Sequence, residues 1–587
     1  MRKLLFFFVV ISIFACGQKK ATTTTQIADS QQIKQISENF YEDRSQLNPF
    51  EATAQGDERF NDQFPIEISE TYRSKLRDFY KKYQVDLTKI DASTLNSNDK
   101  MSYDILKWEC EINLENLSFP EHLMPINQFD CTTLGLPQLG SGAGSQPFKT
   151  VKHYDDWLKR MSVIPAWSDT AIVNMKQGIA TGWILPKSLA NKTLPQLKEV
   201  VQPAIKNIFY SPITQFPKDF SDADKKRLTA EYTSAIEKWI NPSYQKLYNF
   251  VQKEYLPKCR ETSGVGAMPN GQAYYQHTAK LWTTTSMTTD EIFKLGESEV
   301  ARIRTEMEKV KEQVGFKGDL KAFFAHVNTL PALRPFKTDQ AVIDNFSVIY
   351  EKMKPQLTKL FDLSPKSQFQ IKQTEAFREA SASAEYMLGS PDGTRPGTFY
   401  CPILDPKEYN IFQDEALFLH EAIPGHHYQC SLQQENENLP KFRRYLWYGA
   451  YGEGWALYTE SLGRELGLYQ DPYQYFGRLG MEMHRAIRLV VDVGIHAKGW
   501  SREKAIQYSL DNEAETEANT IAEIERYMAN QGQALSYKIG QLKIRQLRTE
   551  AEAKLGDKFD IKKFHNETLK YGCLPLSVYE NMIRSSY

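Results

Sequence analysis

The chain has 587 residues, more than one simple hydrophobic core organises, so two or more lobes are expected. Charged residues make up 25% and hydrophobic residues 41%, which are the proportions of a water-soluble globular protein. The net charge is −1, which excludes a bulk electrostatic attraction to nucleic acid, and we expect no nucleic-acid partner.

The N-terminus has the pattern of a bacterial export signal. Arg2 and Lys3 precede an apolar run, Leu4–Phe14, that is too short to span a membrane as a mature helix. The run ends in Ile-Phe-Ala-Cys, which resembles the lipobox of bacterial lipoproteins, where the cysteine (here Cys16) is acylated and becomes the mature N-terminus. A plain secretory signal with a chance cysteine is the alternative.

Four segments follow from this pattern and from later changes in composition. Residues 1–15 are predicted to be the lipoprotein signal peptide and residues 16–30, rich in Thr, Gln and Ala, a flexible tether. A Gly-rich change of texture after residue 262 divides an N-terminal helical region, 31–265, from a catalytic region, 266–587. The lipid would hold the globular part at a membrane of the cell envelope, facing the periplasm or the cell surface.

The N-terminal region is predicted to be mainly helical. Apolar residues recur at three- and four-residue intervals in Ser97–Glu115, Asp222–Trp239 and Pro242–Tyr255. The Gly- and Pro-rich segment 135–147 is predicted to be a long loop. Farther on, Thr288 and Glu291 form a predicted capping box that opens another helix.

The cysteines beyond Cys16 are scattered, and none has the Cys-x-x-Cys spacing of a metal or redox site. Disulfides are permitted outside the cytoplasm, but in a chain of this size we expect the cysteines to be incidental. Cys430, close to the motif described next, is interpreted as a packing residue.

Three of the chain's ten histidines lie between positions 420 and 427. Neutral imidazole is the commonest zinc ligand, and Glu421, beside His420, suits the general base of a metal-assisted hydrolysis. On a regular helix, His420 and His426 would point about 120° apart. Pro424 lacks the N–H that would continue the helix, so we predict a deformed helix that lets His420 and His426 share one metal. His427 is the competing second ligand.

A hydrolytic zinc site needs a third protein ligand and an open fourth position. Glu453 is the best candidate, because enough chain separates it from His426 for a turn and an antiparallel return. Glu460 lies two helical turns beyond Glu453, on the same face, and is predicted to hold a ligating histidine in place. If His426 is the second ligand, His427 is predicted to lie beside the ligands and support them.

The order His420-Glu421, His426 and then Glu453-Gly-Trp-Ala resembles the gluzincin metallopeptidases. In those enzymes two histidines on one helix and a glutamate on the next bind zinc. This sequence departs from their His-Glu-x-x-His motif by two extra residues between the histidines. Its His-Glu-x-x-Pro-Gly-His-His-x-Gln segment resembles the signature of a bacterial family called domain of unknown function 885, whose members are often lipoproteins. The resemblance covers most of the mature chain.

The resemblance implies a mainly α, two-lobed fold with a small β edge element beside the zinc helix. In gluzincins an edge strand just before that helix pairs with the substrate backbone, and Thr398–Pro402, which includes Tyr400, lies at the matching place. Arg395 is placed to point at a substrate carboxylate. We therefore predict Arg395 and Tyr400 as substrate-binding residues, with a structural hairpin as the alternative.

Two residues are candidates for stabilising the oxyanion of the tetrahedral intermediate. Tyr537 lies in a segment that matches the distal motif of the resembled family, and its phenol would donate a hydrogen bond. Asp492 and His496 share a helical face, so an Asp-supported histidine would act as in thermolysin-like enzymes; a salt-bridged core helix is the alternative. Tyr537 is ranked first. Arg526 and Arg545 are candidates for binding a peptide C-terminus.

Together these observations predict a Zn2+-dependent hydrolase, a peptidase, in which Glu421 is the general base and peptides are the substrates. Two alternatives stay open at this stage. One is a metal-dependent amidase or esterase of envelope material, and the other is a non-catalytic lipoprotein that binds peptides through a degenerate site.

Overall fold

The computed structural model describes residues 14–142, 144–375, 379, 383–390 and 395–587, with the backbone alone described for residues 14–26. The chain is 69% helix and 3% strand, so the predicted mainly α fold is confirmed at that level. Most of the predicted signal peptide lies outside the described residues. No helix within the described ranges is long and apolar enough to cross a membrane.

The first half of the chain is a succession of helices joined by short loops and 3-10 turns. Its α-helices are Phe14–Leu47 (α1), Pro49–Ala54 (α2), Glu70–Leu87 (α3), Ser97–Asn116 (α4), Thr132–Gly140 (α5), Val151–Thr181 (α6), Lys187–Val200 (α7), Asp222–Ala235 (α8) and Asn241–Phe250 (α9). Polar side chains cap several N-termini: Ser69 accepts from the Tyr72 N–H, and Thr150 from the His153 N–H. At the other end of α6, Gly182 adopts a φ of 80°, which stops the helix in a left-handed turn.

Some of the element boundaries predicted for this half agree with the structure and others do not. The helix predicted from Ser97 is confirmed as α4, and π-helical turns extend both α8 and α9. The loop prediction for 135–147 is wrong in its first part, because α5 covers it, with Leu136 buried and Gly140 packed against Trp157 and Phe209. The segment predicted as a tether, 16–30, is the first part of α1, and Asp29 is already buried and bonded to Thr94.

The second half contains the remaining helices. They are Gly271–Thr283 (α10), Thr289–Gln313 (α11), Leu320–Thr329 (α12), Asp339–Leu360 (α13), Asp414–Glu421 (α14), His426–Glu435 (α15), Lys441–Tyr445 (α16), Gly449–Glu460 (α17), Pro472–His496 (α18), Arg502–Asn512 (α19), Glu517–Ala529 (α20), Ser536–Leu555 (α21), Ile561–Leu569 (α22) and Leu576–Ser585 (α23). The predicted capping box at the start of α11 is confirmed, since Thr288 and Glu291 satisfy each other's backbone N–H groups.

One small sheet lies among the described residues of the second half. Phe369–Gln373 (β1), Glu385–Met387 (β2) and Gly397–Cys401 (β3) are arranged in the order β1-β3-β2, with β1 parallel and β2 antiparallel to β3. The strand predicted at 398–402 therefore exists, but its placement at an edge is wrong. Both sides of β3 are already paired, so its backbone is not open for strand addition. Phe399 and Cys401 on β3 are buried in the core.

The hydrophobic core connects distant parts of the sequence. One cluster of buried side chains lies around α6, α8 and α9 and contains Trp157 and Trp167. A larger cluster joins Phe40 of α1 and Ile105 of α4 to Trp455 of α17. The core that surrounds α14, α15 and α17 thus includes helices from both of the regions predicted from composition.

Candidate metal centre

His420 is positioned by the end of helix α14, which packs against α17 and α18. Its side chain is buried, and its Nδ1 atom lies 2.7 Å from a carboxylate oxygen of Glu460 on α17. Thr459, the neighbour of Glu460, donates a hydrogen bond of 2.8 Å to the Leu419 carbonyl, so the two helices are joined at this point. With Nδ1 held, the Nε2 atom of His420 is the nitrogen left to bind a ligand.

The chain leaves the helical conformation immediately after Glu421. Ala422 has φ −105° and ψ −107°, and helix α15 begins only at His426. Trp455 of α17 donates a hydrogen bond of 2.9 Å to the Pro424 carbonyl, which fixes the turn. The predicted deformation at Pro424 is therefore a full break between two helices.

The break depends on a close approach at Gly425. A Cβ atom at this position would lie 2.0 Å from the carbonyl oxygen of His420 and 2.3 Å from that of Leu419. No side chain fits there without moving the backbone of α14. Gly425 therefore lets α15 start against the end of α14, which brings His426 back beside His420.

His420, His426 and Glu453 are brought together as predicted. One ligand atom from each of the three lies within 4.8 Å of the other two. The two imidazole rings are perpendicular, with an interplanar angle of 88° and centroids 5.0 Å apart. The Oε2 atom of Glu453 lies 3.5 Å from Nε2 of His420 and 3.4 Å from Nε2 of His426.

These distances test whether the three residues fit a zinc ion. Ligand atoms bonded to a tetrahedral zinc at about 2.0–2.1 Å are separated from one another by about 3.4 Å. A good hydrogen bond from imidazole to carboxylate would be shorter, at about 2.7–2.9 Å. Two imidazoles and one carboxylate at these separations fit zinc both in donor type and in spacing.

The charges at the site are strongly coupled. Burial opposes the charged form of Glu453, but His426 and His420 hold the pKa of its carboxyl well below the usual range. Burial likewise opposes the imidazolium of His420, yet hydrogen bonds to Glu453 and Glu460 and the charge of Glu421 raise its pKa to about 9. A divalent cation bound here would displace that proton, because only the neutral imidazole is a ligand.

Glu421 lies next to the triad and is partly exposed. Burial raises the pKa of its carboxyl above the ordinary value, while the charges of His420 and His426 act in the opposite direction. Its carboxylate makes no hydrogen bond or ion pair within the described residues. An unbonded carboxylate of raised pKa is well suited to accept a proton from water.

Tyr537, on α21, faces the same site. The charge of Glu453 contributes to raising the pKa of its phenol, after the larger effect of burial. Two glycines allow the approach, because a Cβ atom on Gly454 would lie 2.5 Å from the Cα of Gly540, and so α21 packs directly on α17. The phenol accepts one long hydrogen bond, of 3.4 Å, from Gln533. Its own proton has no acceptor among the described residues and can donate to a ligand.

The other oxyanion candidate, His496, is committed elsewhere. Its Nδ1 atom accepts a hydrogen bond of 3.1 Å from the Val265 N–H, and its Nε2 atom donates to the Tyr527 carbonyl at 3.0 Å. Asp492 does not support it, since that carboxylate accepts from Tyr275 instead, at 2.5 Å. Burial lowers the pKa of His496 to about 3, as expected for a neutral core histidine. The sequence interpretation of this pair as an oxyanion device is therefore wrong.

His427 points away from the triad and toward the sheet. Its Nδ1 atom lies 3.0 Å from the hydroxyl of Tyr386 on β2, and its ring packs against Phe369 of β1. Burial lowers its pKa to about 4. Neither the role of second ligand nor that of a partner for a ligand is compatible with these contacts, so the structure favours His426 of the two open choices.

The predicted substrate-binding residues are not gathered at the triad. Arg526 donates to both oxygens of Glu523, at 3.0 and 2.9 Å. Arg545 donates to Ser461, and its guanidinium lies 4.9 Å from the centroid of the Tyr458 ring. Arg395 is exposed, and its backbone N–H donates a hydrogen bond of 2.9 Å to the Ser390 hydroxyl. Tyr400 lies in the central strand β3. None of these contacts includes a member of the triad.

Three residues near the triad were not predicted. Trp447 is 45% exposed, and its ring centroid lies 5.9 Å from that of His426. Arg485 contributes to the electrostatic environment of Glu421, and the guanidinium of Arg488 lies 4.5 Å from the centroid of the Tyr537 ring. The two arginines are three residues apart on α18, and that spacing was the available signal, since it places both on one helical face.

Comparison with known proteins gives a family and two similar folds. The family described as "Bacterial protein of unknown function (DUF885)" matches residues 49–583. The structure is similar to that of a candidate lipoprotein from Colwellia psychrerythraea, with a TM-score of 0.87 and 27% identity over 95% of this chain and 99% of that one. A candidate lipoprotein of unknown function from Shewanella oneidensis shares the fold, with a TM-score of 0.73 and 21% identity over 94% and 99% of the two chains. No curated protein matches the chain.

Proposed function

The chain belongs to the DUF885 family of bacterial proteins of unknown function, and from that premise we propose that it is a zinc-dependent hydrolase that cleaves peptide bonds. The observation that carries the proposal is the pair of distances from Glu453 Oε2 to the two imidazoles, 3.5 and 3.4 Å. They have the spacing of ligands around one tetrahedral ion. The proposal includes a gluzincin-like arrangement, with His420 and His426 before and after a helix break and Glu453 on α17.

Zinc in this site would act as a Lewis acid that makes water acidic near neutral pH and polarises the scissile carbonyl. Glu421 would accept a proton from the attacking water as its oxygen bonds to the carbonyl carbon. Glu421 would then give that proton to the leaving amine as the carbon–nitrogen bond breaks. The Tyr537 hydroxyl would donate a hydrogen bond to the oxyanion that forms between these two steps.

A lipid anchor in the cell envelope is the second part of the proposal. The support is the lipobox-like sequence that ends at Cys16, together with the two similar structures, which are both candidate lipoproteins. An acylated Cys16 would hold the catalytic part at the membrane surface, where peptides of the envelope or its surroundings are the available substrates.

The test compares Glu421→Gln with the wild type for zinc content and for turnover. Zinc is measured by mass spectrometry of the metal, and turnover on a mixed panel of peptides, esters and cell-wall fragments. We expect one zinc per chain in both proteins and a loss of peptide turnover of about 10³-fold or more in the variant, because the base is removed while the ligands stay. Glu437→Gln, an exposed carboxylate beyond α15, is the matched control and should keep full turnover.

Two results would contradict the proposal. One is a wild-type protein that binds no zinc, or one whose zinc content His420→Ala and Glu453→Ala leave unchanged. The other is a Glu421→Gln variant that turns over peptides at the wild-type rate. Turnover confined to the ester or cell-wall substrates would replace the peptidase by an amidase or esterase that uses the same triad.

A further inference from the structure

Helix α18 passes beside the proposed active site and carries an arginine, Arg485, that forms no ion pair among the described residues. α18 packs against α14 and α21, the helices of Glu421 and Tyr537. Arg485 donates one hydrogen bond, a long one of 3.4 Å to the Met481 carbonyl of its own helix. Its Nε atom is buried and has no partner, and within the described part of the chain no carboxylate pairs with its guanidinium.

Glu523, an acidic group beside this part of α18, is already used by other cations. Arg488 and Arg526 both donate to Glu523, at 3.1 and 2.9 Å, and the Tyr527 hydroxyl donates to the same carboxylate at 2.6 Å. One carboxylate thus serves two guanidinium groups and a phenol. The Nη1 atom of Arg488 is buried and, among the described residues, has no partner either. Arg485 and Arg488, which we call the cationic wall, therefore both keep buried N–H donors that have no acceptor among the described residues.

The two arginines of the cationic wall lie beside the residues of the proposed reaction. Arg485 is close enough to Glu421 to favour the charged form of that carboxylate, and Arg488 lies against the ring of Tyr537. The scissile carbonyl of the proposed reaction must lie between Glu421 and Tyr537. A partly buried guanidinium that forms no ion pair is costly, and a ligand carboxylate would reduce that cost through a bidentate pair.

We propose that Arg485 binds a carboxylate of the substrate next to the scissile bond, with Arg488 behind it completing the cationic wall. This inference rests on the proposed function and specifies its substrate class. The first source of such a carboxylate is the C-terminus of the peptide, which makes the enzyme a carboxypeptidase that releases one residue at a time. An aspartate or glutamate side chain beside the scissile bond offers the same chemistry. Arg485 is a specificity-determining residue, since the bond-making steps fall to Glu421.

The experiment uses the zinc-loaded full chain and two libraries of N-acetylated dipeptides, one with free C-terminal carboxylates and one amidated. We expect the wild type to cleave the free acids about 100-fold faster in kcat/KM than the amides. Arg485→Met should lose that preference by slowing only the acids, and Arg485→Lys should lie between the two. Arg464→Met, an exposed arginine stacked on Tyr475, should match the wild type on both libraries.

The two libraries distinguish a C-terminal carboxylate from a side-chain carboxylate. Faster cleavage of amidated members that contain Asp or Glu, lost in Arg485→Met, supports the carboxylate site and assigns it to a side chain. Equal cleavage of acids and amides by the wild type overturns the inference and leaves the proposed function intact. So does an equal loss on both libraries in Arg485→Met, provided that zinc content and circular dichroism are unchanged.

A binding measurement decides the case in which no library is cleaved, which would count against the proposed function. Calorimetric titration of the zinc-loaded protein with N-acetyl-phenylalanine and with its amide then tests the carboxylate site alone. Tighter binding of the acid that is lost in Arg485→Met supports the inference. Identical affinities for the acid and the amide overturn it.

Discussion

The Nδ1 atom of His420 lies 2.7 Å from a carboxylate oxygen of Glu460, and both side chains are almost completely buried. The second carboxylate oxygen of Glu460 has no hydrogen-bond partner among the described residues. The imidazole of His420 is therefore the one partner of this carboxylate there. The bond fixes the rotation of the ring and leaves Nε2 directed at Glu453. A carboxylate behind a ligating imidazole also makes that imidazole a stronger base toward a metal.

Glu460→Gln should weaken zinc binding by about 10- to 100-fold, because the amide keeps the shape of the partner but loses its charge. Competition with a chromogenic chelator at fixed pH measures the change in affinity. Glu465→Gln provides the matched control, since its exposed carboxylate pairs with Arg548 and makes no contact with the triad. An unchanged zinc affinity in Glu460→Gln would show that the charge of this carboxylate does not support the site.

The metal-binding triad was predictable because residue type and sequence spacing alone indicate its chemistry. His420, His426 and Glu453 are residue types that bind zinc, and a helix breaker and a return of the chain separate them in the sequence. The structure brings one ligand atom of each within 4.8 Å of the other two. The choice between His426 and His427 was not predictable. It depends on where α15 restarts after the break, and that is decided by contacts of Gly425 and Trp455 with α14 and the turn.

Features that depend on packing between distant segments were predicted less well. β3 was predicted to be an edge strand because the resemblance to gluzincins places such a strand before the zinc helix, and the two strands that pair with it, β1 and β2, were not predicted. Asp492 and His496 share a face of α18, but they do not bond to each other. Asp492 accepts from Tyr275 and His496 accepts from Val265, and both donors lie more than two hundred residues earlier. Spacing along one helix indicates which residues are neighbours. It does not reveal which residues from other parts of the chain form hydrogen bonds with them.

Gly425→Ala should destabilise the protein, because the added methyl group would lie 2.0 Å from the His420 carbonyl oxygen. Overpacking of this kind costs about 1–3 kcal/mol in the free energy of unfolding. The substitution should also weaken zinc binding, since it pushes α15 and His426 away from α14. Chemical denaturation and chelator competition measure the two effects.

Gly480→Ala is the matched control for that substitution. Gly480 lies within α18, and the nearest atom to an added Cβ is the amide nitrogen of Gln413 at 3.6 Å, an ordinary contact. Alanine there should leave zinc affinity unchanged and stabilise the helix by up to about 1 kcal/mol. Equal stability of the two alanine variants would contradict the role given to Gly425.

His496 should make the protein less stable as the pH falls below about 6.5. In the folded chain its pKa is lowered to about 3, because burial disfavours the imidazolium and Nδ1 already accepts from the Val265 N–H. In the unfolded chain an ordinary histidine has a pKa of about 6.5. Between these values the unfolded state binds one proton more, so the free energy of unfolding decreases by about 1.4 kcal/mol for each unit of falling pH. Above pH 6.5 the contribution is fully present and constant.

His496→Asn isolates this contribution, because the asparagine oxygen still accepts from the Val265 N–H but carries no titrating group. The measurement is the free energy of unfolding by urea at pH 7, 6 and 5. The variant should show a slope against pH that is shallower than the wild-type slope by about 1.4 kcal/mol per unit over the acidic part of the range. His326→Asn, at a partly exposed histidine beside Phe316, should keep the wild-type slope. Parallel slopes for wild type and His496→Asn would mean that His496 has the same pKa in the folded and the unfolded chain, and would contradict the prediction.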